Sequence, residues 1–320
     1  MEAINIIKNA NNIVITGHVN PDGDAVGSGL ALYISLKNTF RKKNIKFILQ
    51  DEIPFNTKFL KYSDEVLVFN EDINDDFDLI IYVDSASRER TGKVGEKYKN
   101  IKSLNIDHHI SNNGYGELNL IDVKSSSTSE MMYEFLKNNN FYMDKSVLEA
   151  LYLGIVNDTG NFSHDNVSIN TMKIATELIA GGVNNSYVVS NFLNSNSIQR
   201  LRLLGDALNN FSYYDDVKLS YYFLSLETMK KLNAKKEDCE GLVEKILSYE
   251  KSEVALFLRE EIDGKIKGSM RSKNKVDVNQ IAGIFGGGGH IKAAGFTSNL
   301  SQEEVFNKVY EFLKKSWKYF

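Results

Sequence analysis

His18-Val19-Asn20-Pro21-Asp22-Gly23-Asp24 is the stretch on which the interpretation of this chain depends. It follows a short apolar run, Ile13 to Thr16, and precedes a pattern of small residues from Ala25 onward that is typical of a helix. The pattern predicts a strand, a loop and a helix start, with one imidazole and two carboxylates crowded on the loop. Because unpaired carboxylates this close repel each other, a bound cation is the simplest way to stabilise the loop.

Three further polar clusters lie at expected strand or helix ends. Asp84 ends an apolar run over 79–83, Asp107-His108-His109 ends a run over 104–106, and Asp158 closes an apolar helical stretch. Each cluster alone has an ordinary explanation, because an Asp after a strand is usually a turn residue or an N-cap. Four clusters at such positions favour one shared site, since open α/β sheets gather their sites at the carboxyl ends of strands.

Short, apolar and often β-branched runs alternate with helical patterns in the first half of the chain. A helix over 25–38 separates the first two strands, and the alternation predicts a mostly parallel sheet with helices on both faces. The predicted strands are 13–16, 46–49, 66–69, 79–84, 104–107 and 118–121.

A second, smaller α/β domain with a mixed sheet is predicted over 213–320. It follows a first domain over 1–187 and a helical connector over 188–212. Asp263-Gly264 between two strand patterns indicates a hairpin, and an amphipathic helix over 301–320 closes the chain. Four successive glycines, 286–289, would let backbone N–H groups turn toward an anion, or would form a flexible loop.

Composition limits the class of protein. Of 320 residues, 42% are apolar and 25% charged, which is ordinary for a globular protein with two domains. Cys239 is the one cysteine, so an internal disulfide is excluded and a cytoplasmic location is expected. The first residues do not resemble a signal peptide, and no stretch approaches the roughly 20 apolar residues of a membrane span. The net charge of −4 argues against binding long duplex nucleic acid.

The order of the motifs resembles that of the DHH phosphoesterase superfamily. The matching segments are His18 to Asp24, the strand-end Asp84, Asp107-His108-His109 and Asp158-Thr159-Gly160. The glycine run with His290, together with Ser269-Met270-Arg271-Ser272 and Ala293-Ala294-Gly295-Phe296, resembles the DHH-associated C-terminal domain. Within the superfamily, the resemblance is strongest to the short group that hydrolyses nanoRNA and 3'-phosphoadenosine 5'-phosphate. It covers nearly the whole chain.

This resemblance implies two divalent metal ions, Mn(II) in preference to Mg(II) or Co(II). Oxygen and imidazole ligands without a thiolate suit such ions. Asp84 would be shared between the two ions and is counted as catalytic. The ligands implied are His18, Asp22 and Asp84 for one ion, and Asp24, Asp84, His108 and Asp158 for the other.

The remaining site residues follow from the same resemblance. His109 either contacts the phosphate or protonates the leaving oxygen, and the competing role is that it orients Asp107. Arg88 either reaches the substrate phosphate or is a solvent-facing cation at a helix start. Ser125 to Glu130 has the signature of a helix cap and lies near the metals in this superfamily. The residues expected to hold the substrate are Arg271, Gly287, Gly288, Gly289, His290 and Arg88.

The function implied is a Mn-dependent phosphoesterase acting on short single-stranded oligoribonucleotides, as an exonuclease, and on 3'-phosphoadenosine 5'-phosphate. Cyclic di-AMP and the linear dinucleotide pApA are alternative substrates. A nucleotide-binding protein that has lost catalysis is the alternative from another class. A homodimer, cleavage polarity and preferred substrate length are left open, and no membrane partner is expected.

Overall fold

A computed structural model gives the fold and describes residues 2–73 and 75–316. The chain divides into two compact units, one up to Ser195 and one from Asn196. The division falls inside the predicted connector over 188–212, which is helical on both sides of it. The role of that segment as a connector, and the predicted domain limits, stay predictions.

The first unit is an α/β unit with six strands. The strands are β1 Asn12–Thr16, β2 Asn44–Leu49, β3 Leu67–Val68, β4 Leu79–Val83, β5 Lys102–Asp107 and β6 Leu118–Ile121. The helices are α1 Glu2–Asn9, α2 Gly23–Thr39, α3 Gly92–Lys97, α4 Thr128–Asn138, α5 Lys145–Asp158, α6 Ile169–Ala180 and α7 Asn185–Leu193.

All six strands of this sheet run parallel, in the order β3-β2-β1-β4-β5-β6. The chain proceeds from β1 outward in one direction and from β4 outward in the other. The strand order therefore reverses between β1 and β4, and a crevice opens at the carboxyl ends of strands placed in this way.

Both faces of the sheet are covered, as predicted. Ile13 and Ile15 of β1 pack into a core with residues of α2, α4 and α5. Val14, on the opposite face, packs in a second cluster with Tyr82 and with Val94 of α3. The alternation follows from the two-residue period of a strand and confirms the fold predicted from the sequence.

Small residues let α2 lie close to its neighbours. A Cβ atom on Gly27 would approach the carbonyl oxygen of Ala150 in α5 to 2.5 Å, and one on Gly29 would approach the ring of Phe47 to 2.3 Å. Because α2 begins at the end of the loop that carries Asp22, this packing sets the position of the loop.

The second unit contains a mixed sheet. Its strands are β7 Ser212–Tyr214, β8 Leu219–Leu224, β9 Val254–Glu260, β10 Ile266–Ser272, β11 Gly288–His290 and β12 Ala293–Ser298. Its helices are α8 Ile198–Asn210, α9 Leu226–Leu232, α10 Leu242–Leu247, α11 Val278–Gly283 and α12 Gln302–Ser316. The order is β11-β12-β10-β9-β8-β7, with β8 and β9 parallel and the other pairs antiparallel.

The predicted hairpin around Asp263-Gly264 is confirmed as the β9–β10 pair. The apolar helical stretch that Asp158 closes is α5, and the last two glycines of the run, Gly288 and Gly289, pair in strand β11. The last residues of the predicted closing helix, 317–320, lie outside the described residues. Among the described residues, no helix is both long and apolar enough to span a bilayer.

Candidate functional site

The six predicted metal ligands come together at the carboxyl edge of the first sheet. His18 follows β1, Asp84 follows β4, and His108 follows β5. Side chains there form three groups that could hold a metal ion, and within each group the donor atoms lie within 4.8 Å of one another. The groups are His18, Asp22 and Asp84; Asp24, His108 and Asp158; and Asp84, His108 and His109.

Asp84 lies between the two imidazoles. Its Oδ2 atom is 3.6 Å from Nε2 of His18, and its Oδ1 atom is 3.7 Å from Nε2 of His108. Each carboxylate oxygen therefore faces a different histidine. This is the geometry that a carboxylate shared between two ions requires, and it fits the ligand assignment that the resemblance implies.

The backbone of Asp84 is left-handed, with φ of 52°. This region is uncommon for a residue with a side chain, and such conformations cluster at functional sites. A hydrogen bond of 3.0 Å from the Asp84 N–H to the carbonyl oxygen of Ile106 holds the conformation. The turn directs the carboxylate of Asp84, which is 2% exposed, into the crevice.

Both candidate histidine ligands are oriented by backbone carbonyl groups. Nδ1 of His18 lies 2.9 Å from the carbonyl oxygen of Val19, and Nδ1 of His108 lies 3.3 Å from that of Ser125. A carbonyl oxygen only accepts, so each Nδ1 carries a proton and donates it. Each Nε2 atom then faces the carboxylates, and it can bind a metal ion once it has lost its own proton.

Helix starts hold the two aspartates of the first loop. Asp22 caps α2, because its Oδ1 atom accepts hydrogen bonds from the N–H groups of Asp24 and Ala25. Asp24 is fully buried, and its two oxygens accept from the N–H groups of Thr128 and Ser129, at 2.6 and 2.9 Å. The positive end of α4 thereby stabilises the Asp24 carboxylate.

The segment from Ser125 to Glu130 has both roles that the sequence left open. It caps α4, since Oγ of Ser127 accepts a hydrogen bond from the N–H of Glu130. It also shapes the site, because the Thr128 hydroxyl donates to Oδ1 of Asp84 at 3.0 Å. Sequence reasoning located the segment by its Ser/Thr run, but it did not identify Thr128 as the residue that contacts two candidate ligands.

Asp158 completes the second group from the end of α5. Its Oδ2 atom lies 3.0 Å from Nε2 of His108, and its Oδ1 atom accepts a hydrogen bond from Asn157. His164 is exposed, belongs to none of the three groups, and has its Nδ1 atom 3.1 Å from the carbonyl oxygen of Asp158. His164 is therefore a loop residue outside the candidate metal groups.

Burial and mutual repulsion shift the protonation equilibria of this cluster. Burial, with the charges of Asp84 and Asp158, raises the pKa of Asp24 well above its usual range. Burial raises the pKa of Asp158 to about 6, although a hydrogen bond from His108 opposes the shift. Burial alone would lower the pKa of His18 and His108, but the surrounding carboxylates raise these values to about 11 and about 10. Such a cluster favours a bound cation.

His109 and Asp107 orient each other. Nδ1 of His109 lies 2.7 Å from Oδ1 of Asp107, and Nδ2 of Asn112 donates to Oδ2 of Asp107 at 2.6 Å. Asp107 is fully buried with both oxygens engaged, and it belongs to none of the three candidate metal groups. Burial opposes the shift, but the hydrogen bond to Asp107 raises the pKa of His109. Asn112 was not found from the sequence, because an Asn in a loop carries no distinguishing pattern.

Of the two interpretations of Arg88, the structure does not support a solvent-facing cation. It begins a 3-10 helix, Arg88–Thr91, and is half-buried. Its Nη2 atom donates to the carbonyl oxygen of Tyr115 at 3.3 Å, and its Nε atom is buried without a hydrogen-bond partner among the described residues. Contact of Arg88 with a substrate phosphate stays a prediction.

In the second unit, Arg271 and His290 lie in one row across three strands. Arg271 of β10 pairs with Ala293 of β12, which pairs with His290 of β11, so the three side chains share one face of the sheet. Nε of Arg271 lies 2.8 Å from Oε1 of Glu244, and Nη1 donates to the carbonyl oxygen of Met270 at 3.0 Å. The sheet therefore brings together the arginine and the histidine expected to hold the substrate.

The sequence suggested that the N–H groups of 286–289 turn toward an anion. Three of these N–H groups instead donate within the protein. The N–H groups of Gly286 and Gly287 donate to the carbonyl oxygens of Gly283 and Ala282, and that of Gly289 donates to Oδ1 of Asn279. Gly287 and Gly289 are instead needed for packing. Added Cβ atoms there would lie 2.3 Å from the oxygen of Gly295 and 2.4 Å from that of Ala293.

Comparison with known proteins agrees with this arrangement. The DHH family, N-terminal domain, matches residues 12–155, and the DHHA1 domain matches residues 216–318. The chain is 32% identical over 300 residues to the bifunctional oligoribonuclease and PAP phosphatase NrnA of Bacillus subtilis, covering 92% of this chain and 91% of that protein. It is 30% identical over 304 residues to the protein of the same name from Thermus thermophilus, covering 95% and 89%.

A solved structure shows the same architecture over the full length. An exopolyphosphatase-related protein from Bacteroides fragilis superposes with a TM-score of 0.91 at 28% identity, covering 98% of this chain and 95% of that one. The matched domains, the identity to relatives over nine-tenths of the chain and the converging acid and imidazole groups lead to one assignment. This chain belongs to the DHH family, with a DHH domain followed by a DHHA1 domain, and is a hydrolytic phosphoesterase.

Proposed function

We propose that this protein is a Mn(II)-dependent phosphoesterase that degrades short single-stranded oligoribonucleotides and hydrolyses 3'-phosphoadenosine 5'-phosphate. The observation that carries the proposal is the position of Asp84, whose two oxygens face His18 and His108 at 3.6 and 3.7 Å. The relatives that are 30% and 32% identical carry both activities in their names, which supports the choice of substrates.

The side chains of the first unit fit a pair of divalent ions. His18, Asp22 and Asp84 would hold one ion, and Asp24, Asp84, His108 and Asp158 the other. Imidazole and carboxylate donors without a thiolate suit Mn(II), and the Nε2 atoms of both histidines face the carboxylates. Two ions held in this way would supply Lewis acidity and charge neutralisation for transfer of a phosphoryl group to water.

The chain itself supplies proton transfer and orientation. His109 donates its Nδ1 proton to Asp107, which fixes the ring, so that Nε2 is the atom with which it exchanges a proton with the leaving oxygen or contacts the phosphate. Nδ1 of His109 lies 3.6 Å from Oδ1 of Asp84, which places the ring beside the shared ligand. Asn112 holds the second oxygen of Asp107 and keeps this pair from rotating.

The second unit supplies the contacts to the substrate. Arg271 pairs with phosphate oxygens through its planar guanidinium group, whose plane Glu244 and the carbonyl oxygen of Met270 orient. His290 lies in the same cross-strand row, two strands and roughly 10 Å away from Arg271, and adds a second donor. Such a short row of donors suits a mononucleotide or a short oligonucleotide.

The test is turnover of the full-length protein with Mn(II) on short RNA of increasing length, 3'-phosphoadenosine 5'-phosphate and pApA, side by side. We expect release of mononucleotides from short RNA and of phosphate from 3'-phosphoadenosine 5'-phosphate, and loss of both in Asp84→Asn. Rapid cleavage of pApA with no turnover of 3'-phosphoadenosine 5'-phosphate would contradict the proposed substrates. Binding of these nucleotides without product in any divalent metal would contradict catalysis itself.

A further inference from the structure

The most exposed aromatic ring that the structure describes lies at the carboxyl edge of the first sheet. Phe55 is 70% exposed and begins a short 3-10 helix, Phe55–Thr57, soon after the end of β2. β2 is the parallel neighbour of β1, which ends just before His18, so the chain enters this helix at the edge where the candidate metal ligands gather. A single exposed ring is common on protein surfaces, so the argument for a role depends on what surrounds it.

The segment before Phe55 is attached to the loop of candidate metal ligands. Asp51 follows β2, and its Oδ2 atom accepts a hydrogen bond of 2.8 Å from the N–H of Asn20. Asn20 lies between His18 and Asp22 and has a left-handed backbone, with φ of 49°. The turn that separates these two candidate ligands is therefore bonded to the same segment that leads to Phe55.

The residue after Phe55 attaches the segment a second time. Nδ2 of Asn56 donates to the carbonyl oxygen of Phe192 in α7 at 2.8 Å. The ring of Phe192 packs against Gly23, where an added Cβ atom would lie 2.8 Å from the ring atom Cζ. Gly23 directly follows Asp22. Contacts on both sides of Phe55 therefore hold it beside the candidate metal centre.

The backbone that presents the ring is ordered. Pro54 precedes Phe55, and its own φ angle is fixed by the proline ring. The carbonyl oxygen of Pro54 accepts hydrogen bonds from the N–H and the hydroxyl of Thr57, at 3.0 and 2.8 Å, and Thr57 is fully buried. A ring held in this way loses little conformational entropy when a ligand covers it.

Core packing does not account for Phe55. Ile53 and Leu60, on either side of it in the sequence, belong to the core of the first unit and are 8% and 4% exposed. The ring of Phe59 pairs edge-on with that of Tyr187, whereas Phe55 stacks on no other ring in the part of the chain that the structure describes. A flat apolar surface is therefore open to solvent beside the candidate ligands.

We propose that Phe55 is a nucleobase-stacking residue, on which one base of the oligoribonucleotide lies while an adjacent phosphodiester reaches the candidate metal ligands. Every base has a flat aromatic face, so such a contact tolerates any sequence. The inference rests on the proposed function and deepens it, because it makes Phe55 a residue that selects oligoribonucleotides over phosphate esters without a base.

The kinetic test uses the full chain with Mn(II) and two substrates, an RNA trinucleotide and the same trinucleotide with abasic riboses. Phe55→Leu keeps the apolar bulk and removes the aromatic face. We expect it to raise KM for the RNA by about tenfold, with kcat changed by less than about twofold and KM for the abasic substrate unchanged. Phe55→Trp keeps an aromatic face and should leave KM for the RNA at or below that of the wild type.

A spectroscopic measurement tests stacking itself. The fluorescence of 2-aminopurine falls when this base stacks on an aromatic ring. We place it at each position of the trinucleotide in turn and measure binding to Asp84→Asn, in which cleavage is prevented. We expect quenching at one position, and loss of that quenching when Phe55→Leu is added.

Tyr142→Ala is the matched control. Tyr142 is 42% exposed, and its N–H donates to the hydroxyl oxygen of Thr39 at 3.0 Å. Thr39 ends α2, which starts beside the candidate ligands and is about 25 Å long, so this ring lies at the opposite edge of the sheet. We expect KM for the RNA to stay unchanged. Thermal unfolding establishes that each variant is folded.

Three results would each overturn the inference. In the first, Phe55→Leu cleaves the RNA with the KM of the wild type. In the second, KM rises as much for the abasic substrate as for the RNA, and in the third, no position of 2-aminopurine is quenched in a Phe55-dependent manner. If any of these occurs while the wild type cleaves short RNA in an Asp84-dependent manner, the role of Phe55 is wrong and the proposed function stands. A wild type that cleaves no short RNA defeats both.

Discussion

The hydroxyl group of Thr128 donates a hydrogen bond of 3.0 Å to Oδ1 of Asp84, the same oxygen that faces His108. The N–H of Thr128 donates to Oδ2 of Asp24 at 2.6 Å. One residue that is not itself a candidate ligand thus fixes the relative position of two carboxylates that like charge would push apart. The start of α4 therefore helps to position the candidate metal ligands.

Replacement of Thr128 by Val removes the hydroxyl group but keeps the shape and the N–H. We expect the affinity for Mn(II) to fall by about tenfold, because partners that orient ligands commonly contribute this much. Turnover at limiting metal should fall and recover with excess metal. Thr128→Ser keeps a hydroxyl and should bind Mn(II) as the wild type does. Equal affinities for the Val variant and the wild type in a calorimetric titration would show that the contact is incidental.

Asp84→Asn is expected to lower turnover by about a thousandfold or more, because it removes the one charge shared by both candidate ion sites. Steady-state kinetics on short RNA, with circular dichroism to confirm folding, measures this. Asp165→Asn is a matched control at an exposed loop position and should leave turnover unchanged. Near-normal activity of Asp84→Asn would show that the ligand assignment is wrong.

Metal loading should release protons and should strengthen as pH rises. In the metal-free site the surrounding carboxylates raise the pKa of His18 to about 11 and that of His108 to about 10, so both rings are protonated at neutral pH. A metal takes the Nε2 lone pair, so each ring must lose a proton on binding. Calorimetry in two buffers of different ionisation enthalpy counts these protons. Binding without proton release would contradict the assignment of the histidines as ligands.

Glu130→Gln should destabilise the first unit. The Glu130 carboxylate is 2% exposed; its Oε2 atom accepts from Ser126 and Thr171, and its Oε1 atom accepts from Asn170. In the Gln variant, an NH₂ group replaces one carboxylate oxygen and faces these hydrogen-bond donors. We therefore expect the free energy of unfolding to fall by about 2 kcal/mol and Tm to fall by roughly 4–8 °C.

Glu134→Gln is the comparison for this variant. Glu134 lies one turn further along α4, is exposed, and accepts from the same Asn170. Its replacement should change the free energy of unfolding by less than about 0.5 kcal/mol. Thermal unfolding of both variants tests this prediction. Equal values of Tm for the two variants would mean that the buried hydrogen bonds do not depend on the carboxylate of Glu130.

Arg271→Ala should raise KM by about tenfold to a hundredfold, since a charged hydrogen bond to a phosphate contributes about 1.5–3 kcal/mol. Metal content should stay unchanged, because Arg271 belongs to none of the candidate metal groups. Lys267→Ala, on the same strand face, is the control and should leave KM near that of the wild type. Loss of bound metal in Arg271→Ala would place this residue at the metal centre instead.

The sequence by itself determined the α/β class, the parallel sheet and the meeting of the acid and histidine clusters. The alternation of short apolar runs with helical patterns predicts the parallel sheet, and parallel strands present their carboxyl ends at one edge, so residues that end such strands come together there. His18, Asp84 and His108 could be placed in one site for this reason, without any knowledge of the distances between them.

Only the tertiary structure decided which residues far apart in the sequence form hydrogen bonds at the site. Thr128 reaches Asp24 across 104 residues of sequence, and Asp84 holds a left-handed backbone against Ile106. Gly288 and Gly289 of the glycine run pair with β12 as a strand, and the N–H groups of Gly287 and Gly289 donate to the carbonyl oxygen of Ala282 and to Oδ1 of Asn279. Hydrogen bonds of this kind depend on which segments become neighbours after folding, and no local pattern of residues encodes that choice.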